Sequence, residues 1–185
     1  MFKYRQFFIL HFIVMKKWIF VFVLLISIFP NCFAVTQSQR DTILNLHNMI
    51  RSHYNLPKLV WDMNIEKQAQ SWADSLQKTG VFAHSSSIFR KWMWENLYTS
   101  VSSGQKLLLN WYDAVTSWLN EWQDYDYNSN TCKSWSVCGH FTQIVWKNTT
   151  KIGCGQSTRK KWKITTLYWV CEYDPPGNYV GERPY

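Results

Sequence analysis

Side chains able to do chemistry concentrate in one run, Gly139-His140-Phe141-Thr142-Gln143-Ile144-Val145-Trp146, set between Cys138 and Gly153-Cys154-Gly155. Eight residues there supply an imidazole, a hydroxyl, a carboxamide and a large aromatic. An imidazole can ligate a metal or move a proton near neutral pH. A second histidine, His84, is followed by Ser85. Neither Ser85 nor Thr142 carries the flanking motif of an activated nucleophile, so covalent catalysis has little support. A second dense run is Val170-Cys171-Glu172-Tyr173-Asp174-Pro175-Pro176-Gly177-Asn178-Tyr179. The cysteines Cys132, Cys138, Cys154 and Cys171 form no CxxC pair, which disfavours a zinc site; an even number in an exported chain points to disulfides, with three connectivities open.

The two runs, in this order and spacing, resemble the signatures of the CAP superfamily of cysteine-rich secretory, venom antigen and pathogenesis-related proteins. The resemblance spans residues 38–185 and is nearest to the plant pathogenesis-related and fungal sterol-binding members. It implies an α+β fold, a three-layer α-β-α sandwich with a small antiparallel sheet. It implies the disulfides Cys132–Cys138 and Cys154–Cys171. The third bridge of plant members has no counterpart, because Gly80-Val81-Phe82-Ala83 and Gln156-Ser157-Thr158-Arg159 both lack cysteine.

The resemblance also implies a cleft with two histidines and two acidic residues, which match His84, Glu95, Glu121 and His140. Their separations of 11, 26 and 19 residues carry no metal signature of their own. Two imidazoles and two carboxylates can hold a divalent cation such as zinc, although no cofactor is required. They could equally serve as an acid–base set or as a structural hydrogen-bond network. Trp94 stands where the family carries glycine before Glu95-Asn96-Leu97, so a bulky indole reshapes or covers the cleft. In some members the loop after the third helix binds sterols; its counterpart is Trp122-Gln123-Asp124-Tyr125-Asp126-Tyr127, where Trp122, Tyr125 and Tyr127 are the candidate lipid contacts. Packing of those rings onto the body is the alternative. Leu44-x-x-His47-Asn48-x-x-Arg51 also resembles the family and is expected to anchor the first helix, whereas His53 is expected at the surface.

Elements must position these groups. Ile43, Leu46, Ile50 and Tyr54 predict an amphipathic helix over 41–54, started by Asp41 or Thr42. Ile65, Ala69, Trp72, Ala73 and Leu76 predict another over 63–78, with Asp62 or Asn64 as cap and Gly80 at its exit. A third, over 104–122, carries Leu107, Leu108, Trp111, Ala114, Val115, Trp118 and Trp122. Lys151–Cys154 and Thr165–Cys171 read as short strands joined by a basic hairpin, and 174–178 as an irregular segment.

At the N-terminus, Met15-Lys16-Lys17, the apolar run Trp18–Phe29 and Cys32-Phe33-Ala34 read as a signal peptide over 1–34, with Met15 an alternative start. Twelve apolar residues fall short of the roughly 20 of a spanning helix, though a retained anchor is the alternative. Cleavage leaves 151 residues, a single domain over 35–185. It removes Lys3, Arg5, Lys16 and Lys17 and no acidic residue, so the formal charge falls from +8 to +4, too little to argue for nucleic acid. Arg159-Lys160-Lys161-Trp162-Lys163 is either a solvated tip or a contact for acidic head groups or sulfated glycans. Asn148-Thr149-Thr150 is a glycosylation sequon at Asn148. The expectation is a secreted protein that binds sterols or related small lipids in defence or host interaction, without a transmembrane anchor after cleavage. An extracellular scaffold for a protein partner and a metal-dependent hydrolase are the alternatives.

Overall fold

A computed structural model describes residues 35–103 and 110–185. The expected signal peptide with Cys32, and Leu107 and Leu108 of the expected third helix, lie outside the described residues. Helix α1 spans Gln37–His53 and starts earlier than its apolar spacing suggests. Thr36 Oγ1 accepts from the Gln39 backbone N–H at 3.3 Å, and Gln39 Oε1 accepts from the Thr36 N–H at 2.8 Å, a capping box that places Asp41 and Thr42 inside the helix. Strand β1 is Val60–Trp61. Helix α2 spans Met63–Thr79; the Asp62 carboxylate caps it and Gly80, at φ 74°, ends it in the left-handed region that glycine tolerates best.

Strand β2 spans Trp94–Ser103. Helix α3 spans Trp111–Asn120: Asn110, extended, caps it by accepting from the Tyr112 and Asp113 N–H groups, and residues 104–109 of the expected 104–122 helix lie outside the described residues. A 3₁₀ turn, Glu121–Asp124, follows. Strands β3 (Tyr125–Asp126) and β4 (Thr131–Cys132) pair as a small ribbon, and α4 covers Gly139–Ile144. Strands β5 (Lys151–Lys161) and β6 (Ile164–Asp174) are longer than their apolar cores suggest, because the polar Gln156–Lys161 stretch continues the antiparallel ladder.

The sheet order is β1-β5-β6-β2, with β1 parallel to β5 and the other neighbours antiparallel. It is therefore mixed at one edge within the expected α-β-α sandwich. Helix α2 covers one face, with Ala69, Ala73 and Leu76 against Leu97, Tyr168 and Val170. The helix lies on the backbone of β5: a Cβ on Gly153 would come within 2.2 Å of the Glu66 nitrogen, and one on Gly155 within 2.3 Å of Gln70. That close approach accounts for the Gly-Cys-Gly step. On the opposite face α1, α3 and α4 bury Ile43, Trp111, Trp118, Phe141 and Trp169. Burial of each large side chain contributes about 2–3 kcal/mol. Cys154–Cys171 crosses directly opposed strand positions, and Cys132–Cys138 closes the loop before α4, both as expected from the resemblance. Among the described residues no helix is long and apolar enough to cross a membrane.

Candidate functional site

The four expected site residues form two His–carboxylate pairs. His140 is the second residue of α4, whose capping position, Cys138, offers no side-chain cap. Glu121, at the end of α3, takes that part: Oε2 accepts from the backbone N–H groups of His140 at 2.9 Å and Phe141 at 3.1 Å. Its other oxygen accepts from His140 Nδ1 at 2.5 Å. One carboxylate thus satisfies two free amides of a helix start and fixes an imidazole, where negative charge is favoured. Trp118 stacks on the His140 ring, with centroids 5.9 Å apart and planes 16° from parallel.

The second pair lies at the start of β2. Glu95 Oε1 accepts from His84 Nδ1 at 2.7 Å and from the Ser85 N–H at 3.0 Å. Glu95 is buried while the His84 side chain is 58 % exposed. A carboxylate can only accept, so both histidines donate from Nδ1. Among the described residues nothing hydrogen-bonds to either Nε2. Nor do three His, Cys, Asp or Glu side chains among the described residues stand close enough together to hold a metal ion.

Strand β2 connects the pairs through its two faces. Asn96 Nδ2 donates to the His140 carbonyl at 3.2 Å and to Tyr173 Oη at 3.1 Å. Tyr173 donates in turn to His47 Nε2 at 2.9 Å, and His47 Nδ1 donates to the Ile43 carbonyl at 2.7 Å. Burial holds His47 neutral, its pKa pushed down to about 4. Trp94 donates from its indole nitrogen to Asn96 Oδ1 at 3.1 Å, and its ring lies 3.9 Å from where a Cβ on Gly139 would sit. The Trp94 indole therefore packs at the foot of α4.

The two sequence signatures are largely a latch. Gln143 Oε1 accepts from the Gly177 N–H at 2.8 Å, and Gln143 Nε2 donates to Thr149 Oγ1 at 2.9 Å. The Thr142 hydroxyl lies 2.7 Å from Asn178 Oδ1 and 3.0 Å from the Cys138 carbonyl, a structural engagement and no nucleophile geometry. Arg51 is fully buried and donates to the carbonyls of Pro57, Ile144, Trp146 and Thr149, at 2.7, 2.9, 2.8 and 3.0 Å. It anchors α1 to the first signature and to the segment that follows it, and burial lowers its pKa to about 10. His53 is at the surface.

Glu172 is the residue that sequence reasoning passed over. It lies directly opposite Glu95 across β6 and β2, is fully buried, and neither oxygen has a hydrogen-bond partner. Glu95 Oε2 and the Ser85 hydroxyl are likewise unpartnered. Burial, then the charge of Glu95, raises the Glu172 pKa to about 8, against a weaker opposing pull from Arg90 and from the nearby Gln68 amide, which donates to the Phe89 carbonyl and does not reach hydrogen-bond geometry with Glu172. Its position between buried Cys171 and Tyr173 in a strand was the available signal.

The aromatic loop is largely engaged with the protein itself. Tyr125 packs on Phe141 at 6.2 Å and donates to Asn130. Tyr127 stacks on Tyr185 at 4.9 Å, donates to the Tyr185 carbonyl, and lies under the Arg183 guanidinium. Trp122 is exposed. A separate apolar recess of about 330 Å³ opens among Trp92, Met93, Trp94, Pro176, Tyr179 and Val180, with Arg90 and Asn178 at its wall. Asn148 is exposed.

The sequence profile of the cysteine-rich secretory protein (CAP) family matches residues 44–173. Pathogenesis-related protein 1A of Nicotiana tabacum is 36% identical over 149 residues, covering 80% of this chain and 82% of that one. A pathogenesis-related protein of PR-1 type from Sambucus nigra is 34% identical over 155 residues, covering 83% and 86%. Among solved structures, NaASP2 with Zn2+ superposes with a TM-score of 0.63 at 25% identity, covering 84% of this chain and 88% of that one. BmVAL-1 superposes with a TM-score of 0.65 at 28% identity, covering 81% and 82%.

Proposed function

Because the chain belongs to the cysteine-rich secretory protein (CAP) family, we propose that it is a secreted extracellular protein that binds a sterol or related small lipid in a defence-related role. The apolar recess beside the cleft carries this reading. Exposed aromatic faces with a few convergent polar groups suit a flat apolar ligand bearing one hydroxyl. Trp92 is 72% and Tyr179 51% exposed, so their rings are available to a ligand in a way that Tyr125 and Tyr127 are not. The pathogenesis-related names of its relatives support the defence setting.

The test is direct binding of cholesterol to the purified, oxidised protein. Saturable micromolar binding is expected, weakened about tenfold by Trp92→Ala or Tyr179→Ala and little by Trp122→Ala. Absence of saturable binding would remove the reading.

A second reading concerns metal. Two imidazoles, each held by a carboxylate through Nδ1, are the donor types a weakly bound zinc ion would use, with His84 and His140 as its protein ligands, Glu95 and Glu121 as their supports and water completing the coordination. The solved structure of NaASP2 with Zn2+ supports it. Such an ion would supply Lewis acidity; the chain itself orients the rings. Calorimetric titration with zinc should show weak binding that His84→Ala and His140→Ala each abolish.

A further inference from the structure

We propose that the tip of the β5–β6 hairpin docks onto an anionic phospholipid surface. The loop is two residues long, since Lys161 pairs with Ile164 and only Trp162 and Lys163 lie between. Trp162 has φ 59°, and tight hairpins place glycine, asparagine or aspartate at such positions. Its side chain is 94% exposed. A tryptophan that strains its backbone and stacks on no ring among the described residues contributes little to folding, and an external partner gives it a use.

Its surroundings specify that partner. Lys160, Lys161 and Lys163 are exposed and form no ion pair among the described residues, and no acidic residue occurs between Asp126 and Glu172. Helix α2 ends at Thr79, so the sheet outruns its cover. Ile164 and Val101 are exposed beyond that end, and Phe82, stacked on Tyr168, is half exposed. A recess of about 550 Å³ lies there among Thr79, Gly80, Arg159, Trp162, Ile164 and Tyr168. An indole at the extreme tip, aliphatic side chains behind it and lysines around it match the interface of a bilayer, where rings settle at head-group level and cations meet lipid phosphates. Trp135 shares the positive φ and the exposure, but its nearby cation Lys133 is engaged by the Gln123 carbonyl and Asp124. The tip lies eight residues along β6 from Glu172, roughly 25–30 Å from the cleft, so this surface is independent of the sterol reading.

The experiment is co-sedimentation of the full protein with vesicles of phosphatidylcholine alone and of phosphatidylcholine with phosphatidylserine. Binding to the anionic vesicles only is expected, weakened by salt. Trp162→Gly relieves the backbone strain, so it should keep or raise the melting temperature while weakening vesicle binding at least about tenfold. Each of Lys160→Ala and Lys163→Ala should cost about fivefold. Cholesterol binding should not change in any of these variants, and Trp92→Ala should leave vesicle binding intact. Failure to bind anionic vesicles, or undiminished binding by Trp162→Gly, overturns the proposal. So does retention on heparin without vesicle binding, which would assign the tip to a sulfated glycan.

Discussion

The two His–carboxylate pairs look alike in sequence and differ in how completely they are satisfied. Around His140, both oxygens of Glu121 have donors, and Asn96, Tyr173 and His47 extend the network to the Ile43 carbonyl, while Arg51 separately holds the carbonyls of Ile144 and Trp146. Around His84, Glu95 is only half engaged, and it faces Glu172, whose two oxygens have no partner at all. One side holds the fold together; the other stores unpaired buried polarity, which cores usually avoid. The same two residue types thus form a fully bonded network on one side and leave buried oxygens unpaired on the other.

The largest expected effect tests the satisfied side. Arg51→Met removes a buried cation that holds the carbonyls of Pro57, Ile144, Trp146 and Thr149, and should cost about 3–5 kcal/mol, read as a large fall in melting temperature. Glu121→Gln should cost about 2 kcal/mol, since it loses the charge that caps α4 and pairs with His140. Glu95→Gln should cost less, because it also removes the charge beside Glu172. Equal losses for Glu121→Gln and Glu95→Gln would break the comparison.

Glu172 tests the unsatisfied side, with a sign. Below pH 4.5 it is protonated in both folded and unfolded chains and contributes nothing. Between 4.5 and about 8 the unfolded chain releases the proton while the folded chain keeps it, so stability falls as pH rises. The slope is at most about 1.4 kcal/mol per pH unit, and above pH 8 the contribution is constant. Glu172→Gln should flatten this decline and raise stability near pH 8 by about 2 kcal/mol. Denaturant unfolding from pH 5 to pH 9 checks it; a wild-type profile unchanged by the substitution would show that Glu172 is satisfied in solution.

Local chemistry was legible where it stayed local. Asp62 and Gly80 bound α2 as the sequence suggests, and the apolar spacing of Ala69, Ala73 and Leu76 marks the face that meets the sheet. The family resemblance carried the disulfide pairing and the sandwich. The rest depended on partners distant in sequence. The start of α3 is set by Asn110, a cap hidden inside an apolar stretch. In the sequence Tyr125 and Tyr127 stay open between ligand contact and packing on the body, and the structure sets them against Phe141 and Tyr185. Glu172 reads as one acidic residue in a signature, and only the β2–β6 register sets it against Glu95.

The smallest expected effect sharpens the comparison most. His84→Ala removes an imidazole that is more than half exposed and leaves Glu95 with its bond from the Ser85 N–H, so stability should change by about 0.5 kcal/mol or less. His140→Ala also strips the ring stacked on Trp118 and should cost about 1–2 kcal/mol. Zinc affinity provides the contrast. If both histidines are ligands, the two substitutions abolish zinc binding alike while differing in stability. If zinc binding follows stability instead, falling for His140→Ala and persisting for His84→Ala, the His84 pair takes no part in holding an ion.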